Sequence, residues 1–174
     1  MQQLVFTFVG DDKAGLVEHI SELVSAHGGN WLESRLSQMA GKFAGIVSVG
    51  IAEKDAETLL EALASLADTG LSVIAERCND NWAQAQHSGL LKVLGNDRPG
   101  IVHEISAALA AMDINIQQLS SEVQSAPMAG IPLFSAQIAI ELPQHIELSA
   151  LQEELDDRAN HLDVDISLEL NRDD

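Results

Sequence analysis

The sequence predicts an α+β protein built from two tandem βαββαβ domains, each a four-stranded antiparallel sheet with two helices on one face. Three observations predict this. The segment Gly10-Asp11-Asp12-Lys13-Ala14-Gly15-Leu16-Val17 returns as Gly95-Asn96-Asp97-Arg98-Pro99-Gly100-Ile101-Val102, at an offset of 85 residues (95 − 10). The correspondence continues downstream, with Ile20-Ser21 against Ile105-Ser106 and Asn30 against Asn115. Each half also alternates short β-rich runs with amphipathic helical runs in the same order. A period this long is a whole small domain, since solenoid units run to about 20–50 residues.

In the first copy, residues 4–9 form a β-rich run ending at Gly10, and 11–15 form a turn. Leu16, Val17, Ile20, Leu23 and Val24 then recur at helical spacing, with Glu18, Glu22 and Ser25 on the other side. His27-Gly28-Gly29 stops that helix, because glycine readily takes the left-handed cap. Residues 30–39 and 43–52 read as strands joined by a hairpin turn at Ala40-Gly41-Lys42. Asp55 stands where it would cap a helix bearing Leu59, Leu60, Leu63 and Leu66. Asp68-Thr69-Gly70 closes that helix, and 71–75 is the last strand.

The second copy repeats the order. A strand over 90–94 leads to a helix opened by Pro99, whose missing N–H costs nothing at that position. Its buried stripe is Ile101, Val102, Ile105, Leu109 and Met112. Strands over 115–124 and 133–142 flank a proline-containing turn, and Leu148, Leu151 and Leu155 mark the second helix. In the last strand Leu162, Val164, Ile166, Leu168 and Leu170 alternate with polar residues, giving one buried face and one wetter face. Right-handed crossovers fold such a unit into the ferredoxin-like arrangement. The domains are read as 1–77 and 89–174, with a polar linker at 78–88 in which Trp82 is read as a hydrophobic pin.

Hydrophobic residues make up 46% of the chain but aromatics only 3%, so the cores must be built from Leu, Ile, Val and Ala. Nine Lys+Arg face 27 Asp+Glu, a formal net charge of −18. DNA affinity rests on basic residues neutralising phosphates, so this surface argues against direct nucleic-acid binding and favours basic protein partners. The lone Cys78 cannot form an intramolecular disulfide, which is compatible with a reducing cytosol. The first residues lack a signal peptide's basic start and cleavage site, and no apolar run approaches the roughly 20 residues of a membrane span. A cytoplasmic protein without membrane contact is the expectation.

The repeated turn is the candidate site. Gly15 and Gly100 let a ligand approach the backbone, and the amides just beyond, at Leu16 and Ile101, sit at a helix N-terminus that favours a carboxylate. Asp12 and Asp97 lie beside the turn, where either accepts from an ammonium group. Lys13 and Arg98 are placed to meet a carboxylate. Asn30 and Asn115, expected near the same end of the sheet, hydrogen-bond either ligand pole. These residues also have a plainer reading. Asp before a helix caps it, glycine in such a turn supplies a dihedral, turn cations are solvated, and the asparagines serve left-handed turns.

Catalytic and metal-binding patterns are missing. His103-Glu104 begins like a zinc-helix motif, but Ala107 stands where the second His is needed. The first copy inverts the pair as Glu18-His19, and both read as exposed helix faces. Cys78 has no paired Cys, and no nucleophile elbow or phosphate-binding loop occurs. Glu153-Glu154 and Asp156-Asp157 read as a solvated face. No catalytic residue, metal site or cofactor is assigned.

At Asn96-Asp97-Arg98-Pro99-Gly100-Ile101-Val102, followed by Asp113-Ile114-Asn115-Ile116, the sequence resembles the ACT domain family. Asp12-Lys13-Ala14-Gly15-Leu16-Val17 with Gly29-Asn30-Trp31 resembles it less closely, with Ala14 at the proline position. The resemblance implies regulatory modules that bind small ligands, often amino acids, at the first strand-to-helix loop and between paired domains. A free-standing pair is similar to the glycine cleavage system transcriptional repressor family. That likeness implies an amino-acid-responsive regulator, glycine being one ligand to test, which acts on a DNA-binding activator protein and not on DNA. A regulatory subunit of an amino-acid metabolic enzyme, or a structural adaptor that has lost its ligand, would share the fold. Open sheet edges favour pairing of the copies, within the chain or across a homodimer.

Overall fold

A computed structural model describes residues 1–78, 88–125 and 130–171 of the chain. It divides into two compact units, Met1–Trp82 and Ala83–Asp174. The first runs β1 (Gln2–Asp11), α1 (Leu16–Ala26), β2 (Asn30–Met39), β3 (Lys42–Ile51), α2 (Ala56–Ser65) and β4 (Ser72–Arg77). The second runs β5 (Ser88–Asn96), α3 (Ile101–Ala111), β6 (Asn115–Ser125), β7 (Pro132–Glu141), α4 (Leu148–Leu162) and β8 (Val164–Asn171). Both sheets are wholly antiparallel, in the orders β2-β3-β1-β4 and β6-β7-β5-β8. The predicted βαββαβ order and fold class are what the structure shows.

Each unit has its own core. In the first, Leu4, Phe6 and Phe8 alternate along β1 and point to the face covered by Ile20 and Val24 of α1 and by Leu59 and Leu63 of α2. Trp31 stands edge-on to Phe6, with ring centroids 6.3 Å apart, and Phe8 and Phe43 join the same cluster of rings. The second core is almost purely aliphatic, joining Leu91 and Val93 of β5 to Ile105 and Leu109 of α3 and Leu151 and Leu155 of α4. The duplication extends to an irregularity. The β2–β3 register shifts between Trp31 and Glu33, and the β6–β7 register shifts at the same offset, between Ile116 and Gln118. A bulge of this kind bends an edge strand and strengthens its twist.

Several local expectations are corrected. Asp55 stands at the start of α2 but makes no side-chain cap bond, because a short 3₁₀ turn over Glu53–Asp55 already holds it in a helical conformation. Pro99 does not open α3, which begins at Ile101 after a left-handed Gly100. Val102 is 40% exposed, outside the buried stripe, and Ala108 is buried instead. Leu162 ends α4 and does not belong to β8. Along β8 the apolar face fades outward, from buried Val164 to exposed Leu170. Ser88, read as linker, is the first residue of β5. Trp82 lies outside the described residues.

Candidate functional site

The repeated turn lies between β1 and α1 and, in the second copy, between β5 and α3. Gly15 and Gly100 are the helix N-caps, left-handed at φ 85° and φ 102°. This conformation is why glycine recurs at these positions, since a Cβ there costs roughly 1–2 kcal/mol. No side chain caps either helix, so Asp12 and Asp97 are not caps. Their backbones are pinned instead: the Asp12 N–H donates to the Gly41 carbonyl at 3.0 Å and the Asp97 N–H to the Pro132 carbonyl at 2.8 Å. Each turn is thereby tied to the hairpin of its own sheet.

The asparagines lie elsewhere. Asn30 pairs with Gly50, which pairs across β3 with Gln3, whereas Asp11 pairs with Lys42 at the opposite end of β1. Asn115 likewise pairs with Glu141 beside Ser88, at the far end of β5 from Asp97. Eight residues of strand separate these levels in each copy, about 27 Å of rise. The physical reason is the crossover: α1 and α3 return the chain to the far end before the next strand starts. Asn30 and Asn115 therefore share no site with the turn of their own domain. Nor do they serve left-handed turns, a conformation taken by Gly28 and Asp113 just before them.

At the first turn the structure forms an open hollow of about 220 Å³. Asp11, Lys13, Gly15, Leu16 and His19 line one side of it. Thr69, Gly70 and Leu71 line the other side. The N-terminal end of α1 thus faces the C-terminal end of the segment that follows α2. That segment is a 3₁₀ turn over Leu66–Thr69, stopped by a left-handed Gly70. The N–H groups beyond Leu16, whose own N–H donates to the Lys13 carbonyl at 3.4 Å, make the first end positive in character, whereas at the second end the Leu66 and Ala67 carbonyls already accept from the Leu71 and Gly70 N–H groups. The Thr69 hydroxyl donates to the Leu66 carbonyl at 2.7 Å, relieving part of the second end. Asp11 is bound at 2.5 Å by the Lys42 ammonium. That hydrogen bond and charge, with Lys13 adding a further pull, hold the Asp11 carboxyl below the usual carboxylate range.

The second turn is built differently. Arg98 crosses from the turn to the end of α4, its guanidinium 3.5 Å from the His161 carbonyl and 4.0 Å from the Glu104 carboxylate. The same carboxylate stands 3.6 Å from the His161 ring. Glu104 lies at the offset of His19, and Arg98 at that of Lys13.

Of the residues singled out by sequence, the structure brings Gly15 and Leu16 to the hollow and leaves Asp12 outside its lining. Arg98, Gly100 and Ile101 occupy the matching turn, with Asp97 beside them. His19, Glu104, His161 and Thr69–Leu71 were not anticipated. One signal was present: the inversion of Glu18-His19 into His103-Glu104 places opposite chemistry on the same helical position of the two copies.

The fold and its glycine-capped turn, present twice, define a tandem pair of small α+β domains with a strand-to-helix loop as the shared feature. Residues 2–74 and 89–160 each match the ACT domain. The chain belongs to the ACT domain family, as two tandem copies. A protein from Galdieria sulphuraria described only as unknown is 30% identical to it, with a TM-score of 0.88 over 98% of this chain and 99% of that one. A provisionally assigned glycine cleavage system transcriptional repressor is 23% identical, with a TM-score of 0.73 over 99% of this chain and 98% of that one, and shares the fold. No curated protein matches.

Proposed function

We propose that this chain is an amino-acid-responsive regulator without catalytic activity, and that it acts by binding another protein. The observation that carries the reading is the hollow at the first turn, set between the start of α1 and the end of the 3₁₀ turn that follows α2. A zwitterion suits that setting. Its carboxylate goes to the open N–H groups of α1 with Lys13 and His19 alongside, and its ammonium to the carbonyl end before Gly70 with Asp11 nearby. At about 220 Å³ the space suits a small amino acid better than a drug-sized ligand, which needs roughly 300–1,000 Å³.

Membership of the ACT family supports ligand-responsive regulation, and the shared fold with a provisionally assigned glycine cleavage repressor supports transcriptional control of glycine breakdown as the setting. A net charge of −18 favours a protein partner, with a DNA-binding activator carrying the DNA contact. Ligand shifts such a system only through different affinities for its partner-bound and free states.

Calorimetric titration of the full chain with the twenty amino acids, glycine and serine included, tests the sensor half. Saturable heat from at least one small amino acid is expected, and no binding to any of them removes it. Affinity capture from extract, with and without glycine, tests the partner half. A transcription factor among the bound proteins supports this reading, whereas a biosynthetic enzyme in its place redirects it to a regulatory subunit.

A further inference from the structure

We infer that the two turns are not equivalent: the first takes the amino acid, and the second is closed by its own side chains, so that each chain binds one ligand. This rests on the sensor reading above and adds which turn is used and why.

The two turns face the same neighbour in the fold, the junction between the last helix and last strand of each domain. In the first domain that gap is open, with Lys13 and His19 on one side and Thr69, Gly70 and Leu71 on the other. In the second domain Arg98 spans it. The side chain reaches the carbonyl of His161, one of the last carbonyls of α4, where a cation complements both an unpaired acceptor and the negative helix end. Glu104 stands between Arg98 and His161 and faces both. The groups that would receive a ligand in this turn, the guanidinium and the helix C-terminus, therefore already face each other.

The difference lies in how the acid beside each turn is engaged. At the first turn the Glu18 carboxylate lies beside Gly15 but pairs with no cation among the described residues, while at the second Glu104 lies beside Gly100, 4.0 Å from the Arg98 guanidinium and 3.6 Å from the His161 ring. The exposed ion pairs are weak singly. Together they place Arg98, Glu104 and His161 across the gap that is open in the first domain.

The test is titration of the ¹⁵N-labelled full chain with each of the twenty amino acids, glycine included, read by amide shifts. Shifts at 13–19 and 69–71 are expected, saturating at one equivalent per chain. Lys13→Met should weaken the binding about tenfold and His19→Glu more, through loss of a charge-assisted contact and gain of a repulsive one. Arg98→Met should leave the affinity within about twofold. Glu104→His, which removes the acid holding Arg98, should bring a second set of shifts at 98–104. Saturation at two equivalents in the unaltered chain, or shifts centred on 98–104, overturns the inference and leaves the sensor reading standing. Silence from all twenty removes the sensor reading and this inference together.

Discussion

At the scale of single residues, the duplicated glycines do two separate jobs. Gly15 and Gly100 supply a dihedral, whereas Gly10 and Gly95 supply space. A Cβ on Gly10 would meet only the tip of Leu71, its Cδ2 at 2.5 Å, with the next atoms at 3.5 Å. A Cβ on Gly95 would meet Val164 at Cγ1, Cα and Cβ, at 2.6, 2.9 and 2.9 Å. Leucine can rotate away, but the backbone of β8 cannot. Gly95→Ala should therefore cost about 2–3 kcal/mol and Gly10→Ala about 1 kcal/mol, from overpacking. Urea unfolding of the two variants checks the order, and equal or reversed costs would refute it. Asp11 offers a second check. Its carboxyl is held low in the folded state by Lys42, so the pair's contribution is present at neutral pH and fades as pH falls through that lowered value. In Lys42→Met, an NMR titration should show Asp11 protonating at higher pH than in the unaltered chain.

At the scale of elements, each helix is held by a few large aliphatic side chains that its spacing displays. Leu59 and Leu63 of α2 are fully buried, and so is Leu151 of α4. Leu63→Ala should cost about 2–5 kcal/mol through lost burial and the cavity left behind. Because among the described residues none belongs to both core clusters, native-state hydrogen exchange should speed up in β1, β3 and β4 and stay unchanged in β5 and β7. Acceleration spread evenly over both sheets would refute it. The same display made the fold legible. The repeat fixed two domains, the apolar spacing located all four helices, and β2 was read to its last residue. What failed were ends and neighbours. Pro99 looked like a first helical residue because proline favours that position, but the left-handed Gly100 after it sets the start. Asn30 and Asn115 were close to the turns in pattern and remote in space, since the length of a crossover helix is easily overlooked when motifs are matched by order. The Arg98–Glu104–His161 contact joins a turn to the end of a helix some sixty residues later, a separation that no local pattern encodes.

At the scale of the whole molecule, charge is the dominant imbalance. Even if every Lys and Arg were paired, 18 of the 27 acidic residues would lack a basic partner. The ion pairs present are exposed or half-exposed, a setting in which each contributes little. Self-repulsion of like charge opposes the compact state and is relieved when the chain expands. Added salt shortens the reach of that repulsion, from about 30 Å at 0.01 M to about 8 Å at 0.15 M ionic strength, and it weakens the surface pairs as well. With nine cations against 27 anions, the repulsive contacts outnumber the attractive ones, so repulsion should dominate. The melting temperature at pH 7 should rise as sodium chloride is increased over that range. A falling or constant melting temperature would mean that the ion pairs outweigh the excess charge. The same imbalance predicts that duplex DNA is not retarded by this chain at 0.15 M salt, and a retarded band in a mobility-shift assay would refute it.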